Sequence, residues 1–229
     1  MRSDLPARYH SVVAFMPVRL NSSRVPQKSI LPLAKRPLFC WVAETVCQLQ
    51  IPLYIYSTSN AKLRGLVDFE GSNLVFLDRD SALDSDATVG MDIYKQFAHD
   101  VVAKIYLLVH ATSPFTSATT FRRVLEPVCS GKTDSAFTVR KVQTFCWHNG
   151  KAVNFSIPRR QTQLLEPVYA ETSAAYCFTR ELIFSGRRSG ESPALVEVEE
   201  AEALDIDTQY DFKLAEALAS NRRNIRCTR

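Results

Sequence analysis

The sequence predicts an α/β fold, a mostly parallel sheet covered by helices on both faces. Three observations carry this. Short apolar runs rich in β-branched and aromatic residues alternate with segments whose apolar residues recur at helical spacing. This β-α-β-α rhythm holds through the first two-thirds of the chain, as expected where crossover helices join parallel strands. A basic, turn-rich stretch follows the first apolar run directly, and in such sheets ligands bind beyond the carboxyl ends of the strands.

Taken in order, residues 12–15 (VVAF) are short and β-branched and read as a buried strand. Residues 37–50 (PLFCWVAETVCQLQ) place apolar side chains at helical spacing behind a proline suited to a first turn. Residues 53–56 and 74–77 read as strands, 88–99 as a helix and 105–110 (IYLLVH) as a strand. Residues 117–129 read as a helix opening on a Ser-Ala-Thr-Thr cap, and 134–142 as strand-like. The rhythm breaks over about 141–171, where TFCWHNGKAVNF and SIPRRQTQLLEPVY predict an inserted hairpin or arm. A strand resumes at 174–178, a late strand is expected within 192–199, and a last helix spans 207–220, capped by Asp207 or Thr208. The expected organisation is a single domain over residues 1–229 carrying that arm.

Composition narrows the function classes. The chain has 229 residues, 46% hydrophobic and 23% charged, which suits one sizeable core. A net charge of +4 without a long basic run argues against nucleic acid as partner. No run of about 18 apolar residues could span a membrane, and the N-terminus lacks the apolar core of a signal peptide. The six cysteines have neither CxxC nor metal-type spacing, and are expected to be reduced thiols of a cytoplasmic protein.

Four segments carry possible chemistry. In MPVRLNSSRVPQKS, residues 16–29, Arg19, Arg24 and Lys28 alternate with turn-forming and hydrogen-bonding groups, as a triphosphate site requires. The competing reading is a solvated basic loop. In LDIDTQYD, residues 204–211, Asp205 and Asp207 point the same way from an extended backbone and suit a hard cation such as Mg²⁺. Alternatively, Asp207 merely caps a helix. HATSPF, residues 110–115, places His110, Thr112 and a proline at a strand end, either lining a cleft or forming a plain turn. LDRDSALDSDAT, residues 77–88, offers Arg79 to a base or phosphate, with Asp86 or Thr88 to cap the next helix. Singly, none of the four decides the function.

In this order and spacing, from about residue 11 to 219, they resemble the acylneuraminate cytidylyltransferase family. VAFMPVRLNSSRVPQKSILPLAKRPLFCW is similar to its N-terminal signature, LLVHATSPF to its strand before Pro-Thr-Ser-Pro, and ALDIDTQYDFKLAEAL to its Asp-Ile-Asp-Thr ending. TQLLEPVYAETSAAYCF resembles its substrate-side segment. The resemblance implies a Rossmann-like nucleotidyltransferase sheet, a homodimer formed through a projecting arm, and a reaction of CTP with a 2-keto sugar acid, assisted by Mg²⁺. It makes Arg19, Lys28, Asp205 and Asp207 catalytic, the two aspartates as metal ligands. Asn21, Ser22, Arg24, Ser29, Arg79 and Thr88 would face the nucleotide. His110, Thr112, Gln163, Glu171, Thr172 and Ser173 would face the sugar acid, with Arg159 and Arg160 of the arm near its carboxylate.

Several positions depart from the family pattern. Ser29 stands where Asn is frequent, His110 where Gln is frequent, Ala111 where Pro is frequent, and Thr172-Ser173 where Asn-Gly is frequent. Asn21 occupies a common glycine position, and Asn is the residue that best tolerates a left-handed turn in its place. The nearest rival is the same chemistry on 3-deoxy-manno-octulosonate, whose enzymes share the basic loop; the Asp-Ile-Asp-Thr ending favours the acylneuraminate branch. A sugar-nucleotide glycosyltransferase would place its Asp-x-Asp mid-chain. A non-catalytic nucleotide-binding relative is opposed by the joint presence of Arg19, Lys28, Asp205 and Asp207.

Overall fold

The computed structural model describes residues 10–21, 25–85, 87–158 and 161–226. Strand β1 (His10–Pro17) leads through a loop and the short β2 (Pro32–Leu33) and β3 (Arg36–Pro37) to helix α1 (Leu38–Cys47). Then come β4 (Leu53–Ser57), α2 (Asn60–Arg64), β5 (Leu74–Asp78), α3 (Gly90–Asp100), β6 (Ala103–Val109) and α4 (Ala118–Cys129). The rest comprises β7 (Ser135–Val142), β8 (Trp147–His148), β9 (Lys151–Ala152), β10 (Val168–Thr179), α5 (Arg180–Phe184), β11 (Ala194–Glu197) and α6 (Gln209–Arg226).

Seven strands form one sheet in the order β11-β7-β10-β6-β1-β4-β5. β1 pairs in parallel with β4 and β6, β4 with β5, and β7 with β11; β10 runs antiparallel to both neighbours. The mostly parallel sheet predicted from the sequence is therefore present. Val13, Ala14, Phe15 and Met16 are all fully buried, because successive side chains of β1 face opposite helix layers and neither face meets water.

On one face Ala14 and Met16 pack with Phe39, Val42 and Val46 of α1 and Phe121 and Val124 of α4. On the other, Phe15 stacks on Phe97 of α3 at 4.3 Å between ring centres, within an aromatic layer that includes Tyr106, Tyr176 and Phe178. A third, smaller cluster joins Leu33, Leu38, Phe115, Ile206, Phe212 and Ala215, seating α6 over the carboxyl end of the sheet.

Local chemistry explains most element ends. Ser117 caps α4 by accepting from the Thr120 amide, as its hydroxyl predicts. Thr208 and Asp211 form a reciprocal capping pair at α6: Thr208 Oγ1 accepts from the Asp211 amide, and Asp211 Oδ2 accepts from the Thr208 amide. Two expectations are corrected. Helix α3 begins at Gly90 with Val89 as its cap residue, so Thr88 does not cap it. Asp86, the alternative, lies outside the described residues. The predicted 174–178 strand begins at Val168, because Tyr169 and Glu171 pair with Lys141 and Val139 of an equally extended β7. The last residues of the predicted arm therefore belong to the sheet. What remains holds the β8–β9 hairpin, whose Asn149 and Gly150 take φ of 49° and 74°, the left-handed pair a two-residue turn requires.

Candidate active site

The parallel strands β1, β4, β5 and β6 deliver their following loops to one end of the sheet. After β1, Val18 remains buried and its amide donates to the Tyr56 carbonyl, while Arg19 and Asn21 are exposed. Ser22 and Arg24 lie outside the described residues. The left-handed residue described in this loop is Gln27, at φ 53°, rather than Asn21, and it opens a short 3-10 helix at Lys28–Ile30. That turn buries Ser29 and aims Lys28 across the sheet end.

Lys28 Nζ donates to the Ile206 carbonyl at 2.5 Å and to Asp207 Oδ1 at 3.0 Å, joining residues 179 positions apart. Its side chain is 13% exposed and that of Asp207 50%. From the other side, the Ile206 amide donates to the Thr112 carbonyl at 2.9 Å, and the Ile206 side chain is fully buried in the third cluster. One buried isoleucine, clamped at both its amide and its carbonyl, thus fixes the flanking aspartates. Because Thr208 and Asp211 cap α6, Asp207 is not consumed as the helix cap and meets Lys28 instead. Burial acts to raise the Asp211 carboxyl, but the hydrogen bonds from Thr208 and Asp207 outweigh it and hold that carboxyl below its ordinary value.

Asp205 Oδ1 is buried without a hydrogen-bond partner, as is Ser113 Oγ of the loop after β6. Leaving a buried carboxylate oxygen unmatched costs free energy, and such a group is ready for a ligand that supplies positive charge. No group of three or more His, Cys, Asp or Glu able to hold a metal occurs among the described residues. Two carboxylates with an orphaned oxygen nevertheless fit Mg²⁺, which takes few protein ligands and completes its shell with phosphate oxygens and water.

The Asp205 side borders a cavity of about 660 Å³, also lined by Glu171, Thr172, Ser173 and Leu204. Beside it, His110 Nδ1 is 2.6 Å from the Ser173 carbonyl, so the ring donates from that nitrogen. Desolvation lowers the His110 pKa; the Ser173 carbonyl and Asp205 oppose that, and Arg188 and Lys28 reinforce it, leaving a neutral imidazole near pH 7. The Thr172 hydroxyl is committed to Thr138, with Oγ1 2.7 Å from its hydroxyl oxygen. Through that pair it bridges the register shift between β10 and β7. Gln163 lies between β9 and β10, exposed, with its carbonyl held by Gln143 at 3.1 Å, away from the cavity lining. Arg159 and Arg160 are outside the described residues.

Arg79 extends from β5 into the base of the same loops. It is 5% exposed, paired with Asp84 and within 3.5 Å of the Tyr56 and Val18 carbonyls. It ties together the ends of β1, β4 and β5. Thr88 is half-buried, its hydroxyl 3.5 Å from the Ala82 carbonyl.

Two contributors escape a reading of the sequence. Glu202 accepts from the Ser117 amide and the Thr120 hydroxyl, anchoring the segment before Asp205 to α4. Arg188, in an ordinary Arg-Arg-Ser-Gly turn, places its guanidinium 4.2 Å over the Tyr176 ring and donates to Glu171 at 2.6 Å. Contacts between positions so distant in sequence leave no local pattern.

Residues 13–225 match a family model described as cytidylyltransferase. A 3-deoxy-manno-octulosonate cytidylyltransferase of Synechococcus elongatus is 24% identical over 212 residues, covering 85% of this chain and 83% of that protein. One from Afipia carboxidovorans is 22% identical over 171 residues, 75% of this chain and 66% of its own. Among solved structures, a CMP:2-keto-3-deoxy-manno-octonic acid synthetase complexed with CTP superposes with a TM-score of 0.66 at 16% identity, over 92% of this chain and 99% of that one. A 4-diphosphocytidyl-2C-methyl-D-erythritol synthase from Anaerococcus prevotii gives 0.64 at 13% identity, over 92% and 96%. At these identities the superpositions establish the shared fold.

Proposed function

The chain belongs to the cytidylyltransferase family, whose model spans residues 13–225, and on that premise we propose that it condenses CTP with a 2-keto sugar acid to give a CMP-sugar and pyrophosphate. The observation that carries the reading is the Lys28–Asp207 contact. It brings the basic loop after β1 and the acidic pair before α6 into one site at the carboxyl edge of the sheet.

In the proposed reaction the anomeric hydroxyl of the sugar acid attacks the α-phosphorus of CTP, and the bond to the β-phosphate oxygen breaks. Negative charge grows on the departing pyrophosphate. Lys28 and Arg19 stand on the loop that would receive the triphosphate and offset that charge. Asp205 and Asp207 would hold Mg²⁺, which when bound supplies charge stabilisation and makes a coordinated hydroxyl more acidic. A nearby carboxylate of this pair would accept the proton of the attacking hydroxyl. Arg79 would set the loop ends against which the nucleotide lies, and His110, as a neutral ring, would orient the sugar by hydrogen bonding. The exposed apolar residues Trp147, Val153, Ile157 and Leu164 of the arm support its proposed role as the contact of a homodimer.

Among sugar acids, 3-deoxy-manno-octulosonate is the first to test, because the curated relatives carry that substrate in their names. N-acylneuraminate is the second, favoured by the Asp205-Ile206-Asp207-Thr208 ending. Pyrophosphate release from CTP and Mg²⁺ should appear with one of these acids and be absent without it. Release that is independent of any acid would refute the transfer reading and leave a nucleotide hydrolase.

A further inference from the structure

We propose that Arg188 receives the carboxylate of the sugar acid, and that Glu171 occupies the guanidinium until the substrate arrives. This rests on the reaction proposed above. Arg188 is already oriented. Its guanidinium lies 4.2 Å from the centre of the Tyr176 ring, and Tyr176 is 3% exposed within the aromatic layer, so the shelf beneath the cation is rigid. One oxygen, Glu171 Oε1, accepts both from Arg188 at 2.6 Å and from the Tyr176 hydroxyl at 2.7 Å. A planar guanidinium held this way has lost much of its rotamer freedom before any ligand binds, so a second carboxylate meets a prepared partner.

Position supports the same assignment. Glu171 lines the 660 Å³ cavity together with Thr172, Ser173 and Asp205, so Arg188 stands one hydrogen bond behind that wall. The Tyr176 ring also meets the His110 ring in a T-shaped contact, with centroids 6.1 Å apart. In a 2-keto sugar acid the carboxylate is bonded to the same carbon that bears the attacking hydroxyl. It must therefore approach a triphosphate while carrying a negative charge of its own. Lys28, in contact with Asp207, stands on the loop assigned to the triphosphate. Arg140 of β7 lines the cavity directly, but its side chain is 48% exposed and only 3.6 Å from Glu200, whereas Arg188 is held over the Tyr176 ring. Glu171, 40% exposed at its side chain, has room to turn toward water when displaced. The exchange swaps one carboxylate for another on the same guanidinium.

The test uses steady-state kinetics on the full chain, with CTP and Mg²⁺. The acids are 3-deoxy-manno-octulosonate and N-acetylneuraminate, each also as its carboxamide. Arg188→Gln should raise KM for the active acid about 10- to 100-fold, the loss expected for a charge-assisted pair, and leave KM for CTP within about 2-fold. Glu171→Gln removes the competitor's charge and should lower KM for the acid a few-fold. Arg187→Gln, next to it and facing Glu191, should change neither constant. The wild type should discriminate strongly against the carboxamide, and Arg188→Gln hardly at all. A purely structural role would not erase that preference selectively. Turnover of Arg188→Gln with the wild-type preference for carboxylate intact overturns this inference alone. No pyrophosphate from the wild type with either acid overturns the proposed reaction, and the inference with it. If Arg188→Gln does not fold, a Glu171→Gln enzyme whose KM for the acid is unchanged or raised overturns it.

Discussion

Replacing Lys28 by methionine separates what the Lys28–Asp207 contact does for folding from what it does for turnover. Methionine keeps an apolar stem of similar length, so the packing of a side chain only 13% exposed is largely retained. Two partners lose their donor. Asp207 is 50% exposed and regains water, so its half of the ion pair contributes about 0–1 kcal/mol to stability. The Ile206 carbonyl loses a hydrogen bond worth about 1 kcal/mol, partly offset because no ammonium need be desolvated. The sum is about 1–2 kcal/mol, and for a chain of this length roughly 2–8 °C in Tm. Removing a cation that faces developing charge instead costs about 100- to 1,000-fold in rate. Lys28→Met should therefore unfold within a few degrees of wild type by calorimetry while pyrophosphate release falls by two to three orders of magnitude, by the same estimate. Turnover within about 3-fold of wild type would refute the catalytic role, and a Tm loss well beyond 10 °C would make Lys28 a structural staple.

Three further outcomes follow from the geometry. Ile206→Ala removes a fully buried side chain and should cost about 2–5 kcal/mol in denaturant unfolding; a loss below about 1 kcal/mol would mean the third cluster does not seat the aspartates. Because the His110 pKa is lowered on folding, the unfolded chain binds the proton more readily. Its contribution to stability is then fully present above about pH 6.5 and lost as pH falls toward the folded-state value. Titrating Tm from pH 8 to pH 5 should show a steeper decline in wild type than in His110→Gln, and parallel curves would contradict the assignment. Thr208→Ala breaks the α6 cap and should cost about 1 kcal/mol, against no change if the helix start is fixed by packing alone.

The parallel core was legible because its strands are apolar on both faces and its helices carry caps in sequence: Ser117 and Thr208 both act where their hydroxyls predict. The limits lie where tertiary pairing decides. Val168–Thr179 is exposed at alternate positions toward its start, at Tyr169 and Glu171, and only an extended β7 alongside makes it a strand throughout. Helix α3 starts later than its hydroxyl suggests, since Asp80 caps a separate 3-10 turn at Ser81–Asp84. In the site, the order of loops pointed to Lys28, Asp205 and Asp207, and the structure joins Lys28 to Asp207 with Asp205 two residues before it. The uses of Thr172, bound to Thr138, and of Arg188, laid on Tyr176, depend on side-chain directions that no spacing encodes.

The proposed transfer of a cytidylyl group is tested most directly by following label from CTP. With [α-³²P]CTP, Mg²⁺ and 3-deoxy-manno-octulosonate or N-acetylneuraminate, radioactivity should move into a sugar-linked CMP that resists phosphatase, and [γ-³²P]CTP should yield only labelled pyrophosphate. Label recovered solely as free CMP or unchanged CTP, with both acids present, would contradict the account.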